Sequence, residues 1–164
     1  MTIKLWHCKD ARSLRPLWAL EEMGLDYDLK VLPFPPRAHQ REYLQLNPLG
    51  TVPFMVDGET QMTESTGICH YLVEKYERRQ FGLQPDHPEY GDYLNWLYHS
   101  DATLTFPPTL YLRYGMMEPD ERKQLQVARD SRRGILARLQ KVNVPNLRRS
   151  VLCHVRSIIA DISI

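Results

Sequence analysis

Asn47-Pro-Leu-Gly-Thr-Val-Pro-Phe-Met-Val-Asp-Gly-Glu-Thr-Gln-Met-Thr-Glu-Ser-Thr-Gly-Ile-Cys-His-Tyr71 is a turn, two short strands and the beginning of a helix. Asn47 to Gly50 is turn chemistry, Thr51 to Val56 is β-branched and apolar, and Asp57-Gly58 before Glu59 to Met62 signals a tight hairpin. Ile68, Leu72 and Tyr76 then recur at helical spacing. Pro53 is the odd residue, because a proline in an apolar strand removes a ladder donor and belongs at an edge, a strand start or a bulge. There it leaves the main-chain groups of its neighbours free. The trans preference of an X-Pro bond is only about 0.5–1 kcal/mol, so a cis Val52-Pro53 bond costs little if it turns the Val52 backbone toward a ligand.

Thr63-Glu64-Ser65-Thr66 sits where strand gives way to helix. The first free N–H groups, the Ser65 hydroxyl and the helix dipole converge there, which makes a carboxylate socket. Glu64 beside it can hold an ammonium, and the two together suit the amino-acid end of a small peptide. Alone, the same residues also make an ordinary helix N-cap.

Gly50-Thr51-Val52-Pro53, Thr63-Glu64-Ser65 and the helix from Ile68 to Tyr76 resemble the glutathione-binding half of the cytosolic glutathione S-transferases. The resemblance implies that Val52 and Pro53 meet the cysteinyl unit of glutathione and that Glu64 and Ser65 bind its γ-glutamyl end. Ser-Leu-Arg-Pro-Leu-Trp-Ala-Leu-Glu-Glu at 13 to 22 and His-Ser-Asp-Ala-Thr-Leu-Thr-Phe-Pro at 99 to 107 resemble one bacterial branch of that family. After Lys141 the likeness deteriorates. Ile158-Ile159-Ala160-Asp161 keeps the aspartate of the family's helix-start box with Ile at the capping position, a loss of about 0.5–2 kcal/mol. Ile158, Ile159, Ile162 and Ile164 are then left with incomplete cover, and the tail is read as truncated or frame-shifted.

With 164 residues the chain has enough apolar side chains to bury a core. A net charge of +1 gives no reason to expect a nucleic-acid partner or an anionic membrane. Cys8, Cys69 and Cys153 form neither an even set nor a metal-type spacing, which suits a reducing compartment and no metal. The charged N-terminus has no signal-peptide core and no apolar run approaches membrane length, so a cytoplasmic protein is expected.

Ile3 to Trp6 alternates as a strand, Leu14 to Met23 is a helix closed by Gly24, and Tyr27 to Leu32 is a second strand. Pro33-Phe34-Pro35-Pro36 forces a loop, and Arg41 to Leu46 is a short helical piece. With the opening stretch this is the thioredoxin-like order. Cys8-Lys9-Asp10-Ala11 carries one thiol, so a dithiol oxidoreductase is not expected.

The loop from His7 to Ser13 is where such a fold places reactive groups. A free thiol with pKa near about 8.5 is mostly protonated at neutral pH, and a hydroxyl donor or a positive charge lowers it, each unit being worth about 1.4 kcal/mol. Ser13 is either the donor to a glutathione thiolate or the N-cap of the helix. Counting back from Gly24-Leu25, the family's cysteine-type catalytic position falls on Arg12 and its serine-type position on Asp10. The activating group thus stays open among Ser13, Arg12, Asp10 and Cys8. Arg37 and His39 follow the proline-rich loop, a region that in the family often reaches the glycyl carboxylate, and no motif chooses between them.

The expected organisation is a thioredoxin-like glutathione-binding domain over 1–79, a linker over 80–88 rich in Gly and Pro, and an incomplete all-α domain over 89–164. One helix is expected from about Glu89 to Thr105 and is broken by Phe106-Pro107-Pro108. Glu118-Pro119-Asp120-Glu121 is read as an acidic helix start, followed by a buried stripe of Leu125, Ala128, Ile135, Leu139 and Val142. Asp101 stands on an apolar stripe, where a carboxylate needs a partner. In the family, acids of this helix can meet the glutathione amino group, which makes Asp101 a candidate ligand. The resemblance implies a homodimeric transferase that binds glutathione and promotes attack of its thiolate on an electrophilic small molecule. A non-catalytic binding module of the same fold is the alternative.

Overall fold

Alternation in the first residues buries Ile3 and Leu5 and leaves Lys4 exposed, and these form strand β1 (Ile3–His7). The computed structural model describes residues 2–146. The chain divides into two compact units, the first ending at Gln84 and the second beginning at Pro85.

In the first unit β1 is followed by α1 (Leu14–Met23), β2 (Tyr27–Val31), the short α2 (Pro36–His39), a 3-10 turn at Arg41–Gln45, β3 (Phe54–Asp57), β4 (Thr60–Met62) and α3 (Ser65–Lys75). The sheet order is β2-β1-β3-β4, with β1 and β2 parallel and the other neighbours antiparallel. This is the thioredoxin-like arrangement. Helix α1 ends because Gly24 takes the left-handed conformation (φ +60°), where its N–H returns to the carbonyls of Leu20 and Glu21. Helices α1 and α3 pack together, burying Ala19 and Leu20 of one and Ile68, Cys69, Leu72 and Val73 of the other. Strand β3 starts at Phe54, later than the expected Thr51, because Pro53 has no N–H for the ladder and the Thr51 carbonyl is bonded elsewhere.

Asp57 at the end of β3 accepts hydrogen bonds from the hydroxyls of Tyr71 (2.9 Å) and Tyr76 (3.0 Å), tying α3 to the hairpin. Burial, and then the neighbouring Asp57, push the Tyr76 phenol up to about 12 from its ordinary 10. The folded chain therefore holds the phenolic proton more tightly than the unfolded one. The stabilisation is complete below pH 10 and is lost as pH rises from 10 through 12. Denaturant unfolding across that window should show falling stability, and Tyr76→Phe should make the fall shallower. An identical fall in the variant would contradict the assignment.

The second unit is helical, with α4 (Tyr90–His99), a π-helical stretch at Ser100–Thr105, α5 (Phe106–Leu112), a second π-helical stretch at Arg113–Met117 and α6 (Leu125–Asn146). Phe106-Pro107-Pro108 does not break the chain's helical course as expected. The prolines fall in the first turn of α5, where a missing N–H removes little. The preceding carbonyls are partly taken by hydroxyls, Ser100 Oγ donating to Leu97 (2.8 Å) and Thr105 Oγ1 to Ser100 (2.7 Å). The expected acidic helix start is instead a 3-10 turn at Asp120–Arg122. Helix α6 packs chiefly on α5. It buries Ala128 but leaves Leu125 (56% exposed) and Leu139 (39%) in solvent, so the expected buried stripe is only partly covered. Among the described residues no helix is long and apolar enough to cross a membrane. Cys153, Ile158, Ile159, Ile162 and Ile164 lie outside the described residues.

Candidate functional site

Strand register brings the sequence-predicted residues of the first unit to one end of the sheet. Met55 of β3 pairs with Met62 of β4, so the residues just before β3, Val52 and Pro53, lie at the same end as those just after β4, Thr63 to Ser65. Trp6 pairs with Phe54, which sets His7, the end of β1, beside Pro53 at that end as well. The Trp6 and Phe54 rings meet at 5.1 Å between centroids. The α1 and α3 N-termini are there too, joined by a hydrogen bond from Arg15 to Ser65.

The turn before Pro53 is built from its own sequence. Asn47 Oδ1 accepts the Leu49 N–H (3.1 Å), the Asn47 carbonyl accepts the Gly50 N–H (2.9 Å), and Gly50 adopts φ +60°. Two side chains then converge on the Thr51 carbonyl, the Tyr43 hydroxyl at 2.7 Å and Asn47 Nδ2 at 2.9 Å. Tyr43 and Asn47 are themselves 2% and 3% exposed, so this carbonyl is fixed inward. The Thr51–Val52 peptide is trans, whereas Val52–Pro53 is cis. In a trans peptide the N–H points opposite to the C=O, so anchoring the Thr51 carbonyl inward turns the Val52 N–H away from the Tyr43–Asn47 pair. Among the described residues no main-chain hydrogen bond uses that N–H.

Ser65 opens α3 and is 2% exposed. Glu64, the residue before it, has extended backbone, and its side chain makes no capping bond to the helix. The ordinary N-cap reading of Thr63-Glu64-Ser65 therefore does not hold. The Glu64 side chain is exposed, with the Thr63 hydroxyl 3.4 Å from Oε1. The first-turn bond in the helix runs from the Ile68 N–H to the Glu64 carbonyl (2.8 Å), so the N–H groups before Ile68 fall in the positive mouth of the dipole.

Ser13 has no exposed surface and does not cap α1 by its side chain. Its hydroxyl turns back to the end of β1. It lies 2.8 Å from His7 Nδ1, accepts the Cys8 N–H (3.2 Å) and faces the Cys8 carbonyl at 3.4 Å. These bonds fasten both ends of the loop that carries Asp10 and Arg12. Asp10 takes a positive φ of 57°, unusual for a residue with a side chain, and Arg12 is exposed. Cys8 is fully buried, and burial raises its thiol above the ordinary value, so it is a poor nucleophile.

Residues 11–80 match the family described as glutathione S-transferase, N-terminal domain. The chain is 35% identical over 102 residues to glutathione S-transferase 3 of Schizosaccharomyces pombe, an overlap of 62% of this chain and 42% of that protein. It is 30% identical over 144 residues to glutathione S-transferase F9 of Arabidopsis thaliana, covering 83% of this chain and 66% of the relative. The chain belongs to the glutathione S-transferase family. The solved structure of a Phanerochaete chrysosporium glutathione transferase in complex with oxidized glutathione superimposes with a TM-score of 0.85 at 25% identity, covering 99% of this chain and 76% of that one. The chain thus spans well under the whole length of these glutathione S-transferases.

Of the residues singled out for a glutathione S-transferase site, Val52, Pro53, Glu64, Ser65 and Ser13 all belong to the first unit and to one end of its sheet. Asp101 stands half-buried in the π-helical stretch of the second unit. Sequence reasoning passed over Arg15 and His7, which the fold puts against Ser65 and Ser13. A signal was present for Arg15, a cation inside the family-like Ser13 to Glu22 run, but nothing local ties residue 15 to residue 65.

Proposed function

We propose that this chain binds glutathione in its first unit and promotes attack of the glutathione thiolate on an electrophilic small molecule. The observation that carries the proposal is the coincidence, at one end of the sheet, of the outward Val52 N–H and the mouth of α3. The Val52 main chain would pair with the cysteinyl unit. Ser65 and the first turn of α3 would take the γ-glutamyl carboxylate, and the exposed Glu64 the adjoining ammonium. Asp101 is a further candidate for the ammonium. The thiol would lie toward the Cys8–Ser13 loop. Ser13 holds that loop through His7 and Cys8 and is the candidate donor to the thiol, with Arg12 of the same loop the alternative.

The names of the relatives and the oxidized glutathione bound in the Phanerochaete structure support this reading. With it go a homodimer and a cytoplasmic setting, where the buried Cys8 and Cys69 stay as thiols rather than disulfides. The test is retention on immobilised glutathione together with conjugation of a generic aromatic electrophile. Retention with turnover is expected. Retention without turnover would select a non-catalytic binding module, and no retention would contradict glutathione binding altogether.

A further inference from the structure

We infer that the Ser13 hydroxyl acts on the glutathione thiol through His7, whose Nε2–H is the group that meets the sulfur, an inference that rests on the glutathione-binding reading above and deepens it. His7 ends β1 on the face that buries Ile3 and Leu5, and the β1–β3 register sets it beside Pro53, at the end of the sheet where the thiol would lie. Its Nδ1 stands 2.8 Å from Ser13 Oγ. The hydroxyl has one proton to give. Besides Nδ1, the acceptor in its reach is the Cys8 carbonyl at 3.4 Å, beyond the ordinary length of an O–H···O bond, while the Cys8 N–H occupies one of its lone pairs. The proton therefore goes to Nδ1, and the ring carries its own on Nε2.

That arrangement sets the role of each residue. Ser13 has no exposed surface, so its hydroxyl reaches a ligand only through a neighbour. His7 is half-buried, and its Nε2 is neither buried nor hydrogen-bonded among the described residues. In this tautomer Nε2 bears a proton when the ring is neutral, and it also bears one when the ring is charged, so His7 serves as a donor and not as a base. The glutathione thiol gives its proton to water, and the thiolate left behind accepts the Nε2–H. No bond of the ring is made or broken. Ser13 is thus a positioning residue, holding the imidazole in one tautomer and one orientation.

The test titrates the thiol of bound glutathione by its ultraviolet thiolate absorbance in the wild-type protein, His7→Phe, His7→Gln, Ser13→Ala and the double variant, with S-methylglutathione, which has no thiol proton, as the control ligand. His7→Phe should raise the pKa of the bound thiol by about one to two pH units, ten- to a hundredfold in thiolate at neutral pH, the scale of a hydrogen bond to a charged group. It should leave the affinity for S-methylglutathione nearly unchanged. His7→Gln, which returns an N–H near the place of Nε2, should recover part of the loss. Ser13→Ala should raise the thiol pKa less, and add nothing in the His7→Phe background. Three results overturn the inference: an unchanged thiol pKa in His7→Phe, additive effects of the two substitutions, as direct donation by Ser13 would give, or equal weakening of both ligands, as a purely structural role would give. Nitrogen-15 spectra of the neutral wild-type ring supply a check that needs no variant. The Nε2–H tautomer is expected, and the Nδ1–H tautomer overturns the inference. Wild-type protein that binds neither ligand overturns the underlying glutathione reading, and this inference with it.

Discussion

Ser65→Ala is expected to weaken glutathione binding ten- to a hundredfold, and Glu64→Ala less. A hydrogen bond to a charged group is worth about 1.5–3 kcal/mol, which is roughly that range in Kd. Ser65 is enclosed and acts where the α3 dipole adds to it, so its loss falls in full on the carboxylate and also removes the Arg15–Ser65 hydrogen bond. Glu64 is exposed, and water screens its attraction for an ammonium. Equilibrium dialysis or calorimetry with glutathione decides the matter. Unchanged affinity in both variants would show that the residues at the α3 mouth do not hold the γ-glutamyl end.

Gly50→Ala should destabilise the first unit by about 2–5 kcal/mol. An L-residue in the left-handed region costs roughly 1–2 kcal/mol, and forcing a methyl into filled space adds about 1–3. Both penalties apply at Gly50, whose φ is +60° and whose added Cβ would stand 2.8 Å from Arg37 Cβ and from Leu44 Cδ2. The Leu44 methyl is the end of a side chain and can turn aside, but the Arg37 contact is at the base of its side chain and does not yield without moving backbone. Gly24 is the internal control. It has the same φ, but nothing lies within 4 Å of an added Cβ, so Gly24→Ala should cost the conformational part alone. Denaturant unfolding of the two variants separates the contributions. The Gly50 variant should in addition bind glutathione less well, since the turn it closes sets the Thr51 carbonyl and, through the peptide plane, the Val52 N–H. Equal destabilisation at both glycines would contradict the packing argument.

Where local chemistry alone dictates the backbone, the sequence was a sufficient guide. Leu14 to Met23 forms the helix expected of its apolar spacing, and Gly24 stops it. Asp57-Gly58 turns the hairpin, with Gly58 at φ +60°. Pro53 stands at a strand start, one of the few places a sheet accepts it. Legibility failed where the answer depends on what lies across the fold. Pro107 and Pro108 announce a break only if the helix has no new first turn to offer them, and the π-helical stretch before Phe106 provides one. Leu125 and Leu139 have the spacing of a buried stripe, yet burial requires a neighbour that the spacing itself cannot supply. Ser13 had two local readings, donor or cap, and its hydroxyl takes a third course, back to His7 and Cys8. Val52 and Ser65 were legible as a candidate pair because the hairpin between them is short enough to return the chain to the same end of the sheet. Arg15 was not, because it meets Ser65 only through the packing of α1 on α3.

The central claim is that the strand edge at Val52 and the mouth of α3 receive one and the same tripeptide. Nitrogen-15 chemical-shift mapping during a glutathione titration tests it most directly. The amides of Val52, Ser65 and Gly67 should move together and saturate with a single Kd. Movement at Val52 without Ser65 and Gly67, the reverse, or separate saturation of the two groups would contradict the account.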